Sequence, residues 1–446
     1  MNKLIYILFL SVFFLDYLHF SLGLIPRSVT WMPEFLSMIA GVVIASRFAI
    51  RGRFKLHPKY LYLIFLYSTV LFVGTVLNAT SSKVIIIGMR HYYKHLPFFL
   101  LPAVYDFSEK DVLRQLKLAL FLLLMQCPLA LYQRYIEFKD RTTGDVITGT
   151  LEDSGSLSIT LICAIGVVFA FYLKRKINVA VFLVFALMLL VPTTINETKV
   201  SIILLPVAFL LPALLCEGYV NSGRVKNLLI VILMGSIFLS VFVVIYDRQE
   251  NAQGGGILSF FTDKKTRDKY LFEEDDRDED STNVRRGDAL MLAYNYLSRD
   301  VYTVIVGLGI GNVMASMFNE AESGKFATMG AEKLTLTHLF WESGLSGVIT
   351  YLCIYLCIFR DVMLLKKRND AFGTLALGWT SVFMIMVISL IYTNMGHQNV
   401  INFLFWYFSG LLLSVMSETE ELRKDNAFHP HRPVSEPLNH RTVYRI

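Results

Sequence analysis

A chain of 446 residues that is 54% hydrophobic, with 34 Phe and 22 Tyr, carries more apolar surface than the cores of soluble domains can absorb. This excludes a soluble enzyme, and the modest net charge of +6 points to membrane topology and anionic lipid rather than to a nucleic-acid partner. The five cysteines all lie in or beside apolar runs, where their spacing forms neither a disulfide framework nor a Cys-based zinc site.

Apolar windows of roughly 20 residues, the length that crosses a bilayer core, recur along the chain. The first six are Leu4 to Ile25, Pro33 to Ile50, Tyr60 to Leu77, Val84 to Tyr105, Val112 to Tyr132 and Ser154 to Leu173. The others are Ile177 to Thr194, Thr198 to Cys216, Asn227 to Tyr246, Leu336 to Phe359, Phe372 to Tyr392 and Val400 to Met416. Alternate loops are basic: Arg47 to Lys59, Lys110 to Lys117, Lys174 to Lys176, Arg224 with Lys226, and Lys366 to Arg368. By the positive-inside rule these loops, both termini and the tail are cytoplasmic. The expected fold is an all-α polytopic transmembrane bundle of about twelve spans. Residues 1–246 hold spans one to nine, 247–335 form a large extracytoplasmic loop, 336–416 hold the last three spans, and 417–446 are a disordered cytoplasmic tail.

The fourth window contains GMRHYYKH, with Arg90, His91, Lys94 and His95 where isolated charges are expensive. Either this helix faces an internal groove that receives phosphate or acidic sugar, the reading preferred here, or it starts later and snorkels its bases outward. TGTLEDSGSLS, at Thr148 to Ser158, caps the sixth span and offers Glu152 and Asp153 to an acceptor sugar or merely to a helix start.

Chemistry has to be housed in the long loop, because the chain has no Walker phosphate loop, dinucleotide fingerprint or HExxH motif. Its acidic run at Glu273 to Asp280 reads as a solvated segment before calcium is invoked. Ser281 to Leu297 then predicts an amphipathic helix on the membrane surface, with Ala289, Leu290, Ala293, Tyr296 and Leu297 on its apolar face. Arg285 and Arg286 fall in its first turn, where cations oppose the helix dipole unless an anion or an acidic neighbour compensates. They bind phosphate or pair with the acidic run; the helix alone does not separate these. VGLGIGN, Val306 to Asn312, marks a tight turn with close backbone approach.

TLTHLFWESGLSGVITY, Thr335 to Tyr351, opens the tenth span with His338 and Glu342 one helical turn apart. Packing explains such a pair poorly at a membrane boundary, although a wet interfacial histidine is the plain alternative. Trp341 reads as an interfacial anchor.

The order of these features, arginine, amphipathic helix, GxGxG turn and then HLFWESGLSG, resembles the O-antigen ligase and O-antigen polymerase superfamily. These are bacterial inner-membrane glycosyltransferases that handle sugars on a polyprenyl diphosphate carrier. The resemblance covers about Gly149 to Tyr355 and is strongest from Arg285 onward. It implies that Arg285 or Arg286 contacts the diphosphate, that His338 is the general base on an acceptor hydroxyl, and that Glu342 is its acidic companion. The family histidine is followed by Asn, whereas Leu339 stands here. A second family arginine lies in an SRG-like sequence; this chain has INETKVS, so Lys199 takes that charge, with Asn196 and Glu197 beside it. Arg90, Lys94 and Gly309 complete the expected substrate-binding set. Neither metal nor cofactor is expected. The implied partners are a polyprenyl-diphosphate-linked oligosaccharide, membrane lipid, a flippase and a chain-length regulator. The expected activity is polymerisation of lipid-linked repeats, with an O-antigen ligase or protein oligosaccharyltransferase as the same-fold alternative. A transporter or flippase without catalysis is the alternative from another class.

Overall fold

The computed structural model describes residues 1–141, 143–216, 233, 235–244, 286–315, 323–327 and 333–428, and all regular structure among them is helical. The helices in chain order are α1 (Asn2–Asp16), α2 (Met32–Arg51), α3 (Pro58–Leu77), α4 (Ser82–Tyr93), α5 (Leu96–Val104), α6 (Glu109–Leu124) and α7 (Gln126–Tyr132). They continue with α8 (Ser154–Leu173), α9 (Val179–Ile195), α10 (Ser201–Leu215), α11 (Arg286–Leu297), α12 (Val301–Val306), α13 (Thr335–Leu365), α14 (Ala371–Ser389) and α15 (Asn399–Phe428). Among the described residues, eight helical segments are long and apolar enough to cross a membrane. Shorter apolar helices fill other windows: α9, α10 and Gly235–Val244. A helix is the economical way through a bilayer because it satisfies its backbone polar groups internally.

Helix starts coincide with side-chain caps at the ends of the apolar windows. Ser108 and Asp111 form a reciprocal capping box on α6, Asp153 accepts from the Ser156 N–H at 2.7 Å on α8, and Asp370 accepts from the Gly373 N–H at 2.9 Å on α14. The fourth window departs from a straight span. It breaks between α4 and α5 at Lys94 and His95, whose side chains are held inside the protein rather than snorkelled away: Lys94 Nζ donates to Asn399 Oδ1 at 2.6 Å, and the His95 ring meets Phe403 at 4.4 Å. At the C-terminus α15 runs helical to Phe428, into the stretch expected to be disordered.

The basic loops gather at one end of the bundle. Lys55 bonds Asp106 at 2.7 Å and Glu418 at 3.2 Å, while Arg368 pairs with Asp370 at 2.5 Å. Burial acts to lower the Lys55 pKa, but the two carboxylates outweigh it and hold the ammonium above its ordinary value. The opposite end holds the start of α13, where Thr335 and Leu336 donate their N–H groups to Thr393 and Leu390 at the end of α14. Helices α8, α14 and α15 form the buried centre, whereas α2 and α3 present most of their surface outward.

Candidate functional site

His338 and Glu342 lie on one face of α13, as an i, i+4 pair should, with His338 Nε2 3.5 Å from Glu342 Oε2. Both are buried, at 1% and 0% exposure, so His338 is not a wet interfacial histidine. Two further imidazoles meet it. The His91 ring of α4 lies 4.9 Å from His338, tilted by 30°, and 4.9 Å from His397 in the turn before α15. Tyr92 closes the other side, its ring 5.9 Å from His338. Among the described residues no group of His, Cys, Asp or Glu is placed to hold a metal ion. His397 keeps an edge open to solvent. The protein packed around its ring, followed by His338, Lys94 and Arg90, holds its pKa below the usual histidine range.

A break in α13 shapes the site. Gly344 adopts φ 60°, ψ −166°, a region essentially reserved for glycine. The break takes the Trp341 and Glu342 carbonyls out of the helical ladder, and the Leu308 and Gly309 N–H groups of the glycine turn reach them at 2.8 and 2.9 Å. Gly307 is also left-handed, at φ 73°, and a Cβ there would stand 2.5 Å from Gly344 N; a Cβ on Gly344 would stand 2.6 Å from Gly307 N. Main chain meets main chain here, which only glycine permits. The same turn fixes the acid, because the Val313 N–H donates to Glu342 Oε1 at 3.2 Å. Ile310 N–H binds Thr75 Oγ1 at 3.0 Å, locking the turn onto α3.

The remaining candidates are distributed around this core. Gly309 lies in the interlocking turn, with its amide on the Glu342 carbonyl. Arg90 is held by Glu34 at 2.7 Å and stacks on Trp31, its Cζ 4.7 Å from the ring centroid. Lys94 binds Asn399, whose Nδ2 also donates to Asp16 at 3.4 Å and whose N–H meets Glu152 at 3.3 Å. Asp153 accepts from Gln398 Nε2 at 2.9 Å besides capping α8. Glu197 lies 3.8 Å from Arg134, and Asn196 is tied to Ser154 and Ser158 at the start of α8, which sets the Lys199 turn at the same end of the bundle. Arg285 and the acidic run Glu273 to Asp280 lie outside the described residues, and of Arg286 only the backbone, at the start of α11, lies within them.

Helix α11 has the expected inner face, with Ala289, Ala293 and Leu297 buried, but Leu290 lies on its outer side with Met291 and Tyr294. Trp341 is not an interfacial anchor. It is fully buried and packed by Tyr296 at 5.1 Å and Phe326 at 5.7 Å. His397 was not legible as a partner because it lies in a polar turn between two spans, remote in sequence from His338. Its only signal is the grouping of polar side chains in TNMGHQN.

No protein-family model matches the chain, and no curated relative matches it.

Proposed function

We propose that this multi-pass membrane protein is a bacterial glycosyltransferase that polymerises lipid-linked oligosaccharide repeats of a surface polysaccharide. Its donor is a glycan on polyprenyl diphosphate and its acceptor is a sugar hydroxyl. The observation that carries the reading is the buried His338–Glu342 pair, 3.5 Å apart and joined by the ring of His91, at the broken end of a long membrane helix. A buried ionisable cluster at the end of a membrane-length helix favours function over packing. The charge pattern of the loops supports basic loops and both termini in the cytoplasm and the His338 end outside the inner membrane.

In the reaction, His338 takes the proton of the acceptor hydroxyl as its oxygen bonds to the anomeric carbon of the donor. The bond from that carbon to the diphosphate oxygen breaks, and the lipid diphosphate leaves with the electron pair. Glu342, steadied by the Val313 N–H, orients the imidazole and stabilises its protonated form. Arg285 or Arg286, with Lys199, offsets the charge growing on the diphosphate. The order of the arginines, the glycine turn and HLFWESG supports membership of the O-antigen ligase and polymerase superfamily, with a flippase upstream and a chain-length regulator beside the enzyme.

The test is analysis of lipid-linked products after loss of the protein from its host. Single repeats left on the carrier are expected. Full-length chains stranded on the carrier would assign a ligase instead, and an unchanged product pattern would overturn the reading.

A further inference from the structure

Beside the glycine turn, a cleft of about 250 Å³ opens between the end of α3, the α11–α12 turn and residues 323–327. Its wall is aromatic. Tyr296 and Phe326 meet edge to face at 4.9 Å, and both rest on the buried Trp341, so their positions are fixed from behind. Its rim carries two cations: Arg299 lies over the Tyr296 ring at 5.3 Å and Lys325 over Phe326 at 5.4 Å. Neither makes an ion pair within 4.0 Å with a described residue. The acid in the lining, Asp300, caps a helix by accepting from the Tyr302 N–H at 3.1 Å and offsets one of the two cations, which leaves the lining with an excess of positive charge. Two amides complete the cleft. Asn78 Nδ2 donates to the Gly74 and Gly307 carbonyls, and Asn312 Nδ2 donates to Thr80 and to the Leu308 carbonyl. Each amide nitrogen is thus committed to the protein, and each side chain retains a carbonyl oxygen that can only accept.

This combination selects a ligand. Two cations call for an anionic group, and acceptor oxygens call for hydroxyl donors, beside an aromatic wall whose ring faces are already covered by Trp341 and the cations. A bare phosphate uses only the first of these, and a neutral sugar leaves the cations unused. We propose that the cleft is a binding subsite for an acidic saccharide, its carboxylate or phosphate substituent between Arg299 and Lys325 and its hydroxyls on the side-chain carbonyl oxygens of Asn78 and Asn312. The turn that walls the cleft is the one that holds the carbonyls of Trp341 and Glu342, so an occupied subsite adjoins the His338 pair. The role of such a saccharide rests on the glycosyltransferase reading; its binding does not.

The test is therefore equilibrium binding, without turnover, to the detergent-solubilised full chain. The probes are a tetrasaccharide of alternating glucuronic acid and N-acetylglucosamine, the neutral N-acetylglucosamine tetrasaccharide, and inorganic phosphate. The acidic tetrasaccharide is expected to bind at least about tenfold more tightly than the neutral one, and to lose that margin in R299Q and in K325Q. Both side chains are exposed, so the variants are expected to elute as the wild type does in size exclusion. Equal binding of acidic and neutral tetrasaccharides, unchanged affinity in both variants, or phosphate competing as well as the acidic tetrasaccharide would each overturn the proposal. Failure of the polymerase reading appears instead as unchanged lipid-linked products and leaves these affinities untouched.

Discussion

Helix α13 carries a buried acid near each end, and the two are treated differently. At the basic end, Asp361 is saturated: Lys59 Nζ reaches it at 2.5 Å, Tyr60 Oη at 2.8 Å and the neighbouring Arg360 Nε at 3.2 Å, all within unbroken helix. At the other end, Glu342 has one main-chain donor and a histidine at 3.5 Å, in a helix broken two residues later, and His91 lies against that histidine. A carboxylate that ties α3 to α13 needs strong cations and nothing more. On the proposed mechanism Glu342 supports a proton acceptor, which needs a partner that can gain and lose a proton, and the backbone strain at Gly344 is the cost of holding it there.

Substitutions at the two ends sharpen that contrast. The largest effect is expected at His338, where H338A should lower glycan transfer by about 10²–10⁴-fold, the span of a general base, while the protein still inserts and elutes normally. G344A comes next and acts on stability. Its Cβ would stand 2.5 Å from the Ile305 carbonyl in a backbone region closed to alanine, so a loss of about 2 kcal/mol or more is expected in thermal unfolding of the solubilised protein. D361N should reduce stability by about 1–3 kcal/mol, because it leaves a half-buried Lys59 without its anion. Transfer per folded molecule should persist in D361N, and its loss would erase the distinction between the two ends. The smallest effect is expected at His91. H91Q should slow transfer less than H338A, and the two together should fall short of additivity by about 1–2 kcal/mol, as ring contact between them requires. Strict additivity in that double-variant cycle would separate His91 from the base.

Much of the bundle is legible in the sequence because bilayer thickness and loop charge act locally. Apolar runs such as Ser154 to Leu173 and Phe372 to Tyr392 match observed helices within a few residues, and caps at Asp153 and Asp370 mark where they begin. The pair His338 and Glu342 is equally local, one helical turn apart. The break at Gly344 is not local: a glycine permits it, but Gly347 three residues on stays within the helix, so glycine alone does not place it. It forms because the turn at Gly307 to Gly311, remote in sequence, offers N–H donors to the Trp341 and Glu342 carbonyls. The histidine cluster escapes for the same reason. His91 and His338 come from two separate windows and His397 from the turn between two others, and no spacing rule relates them. Arg90 also reads differently in three dimensions, where Glu34 and Trp31 engage a cation that the sequence leaves facing a groove.

The central claim, that His338 activates an acceptor hydroxyl, is tested most directly by quantifying the lipid-linked glycans of cells whose only copy is H338A, expressed at the wild-type level. Single repeats held on the carrier, with polymer absent, are the predicted result. Polymer of normal amount and length in those cells would contradict it.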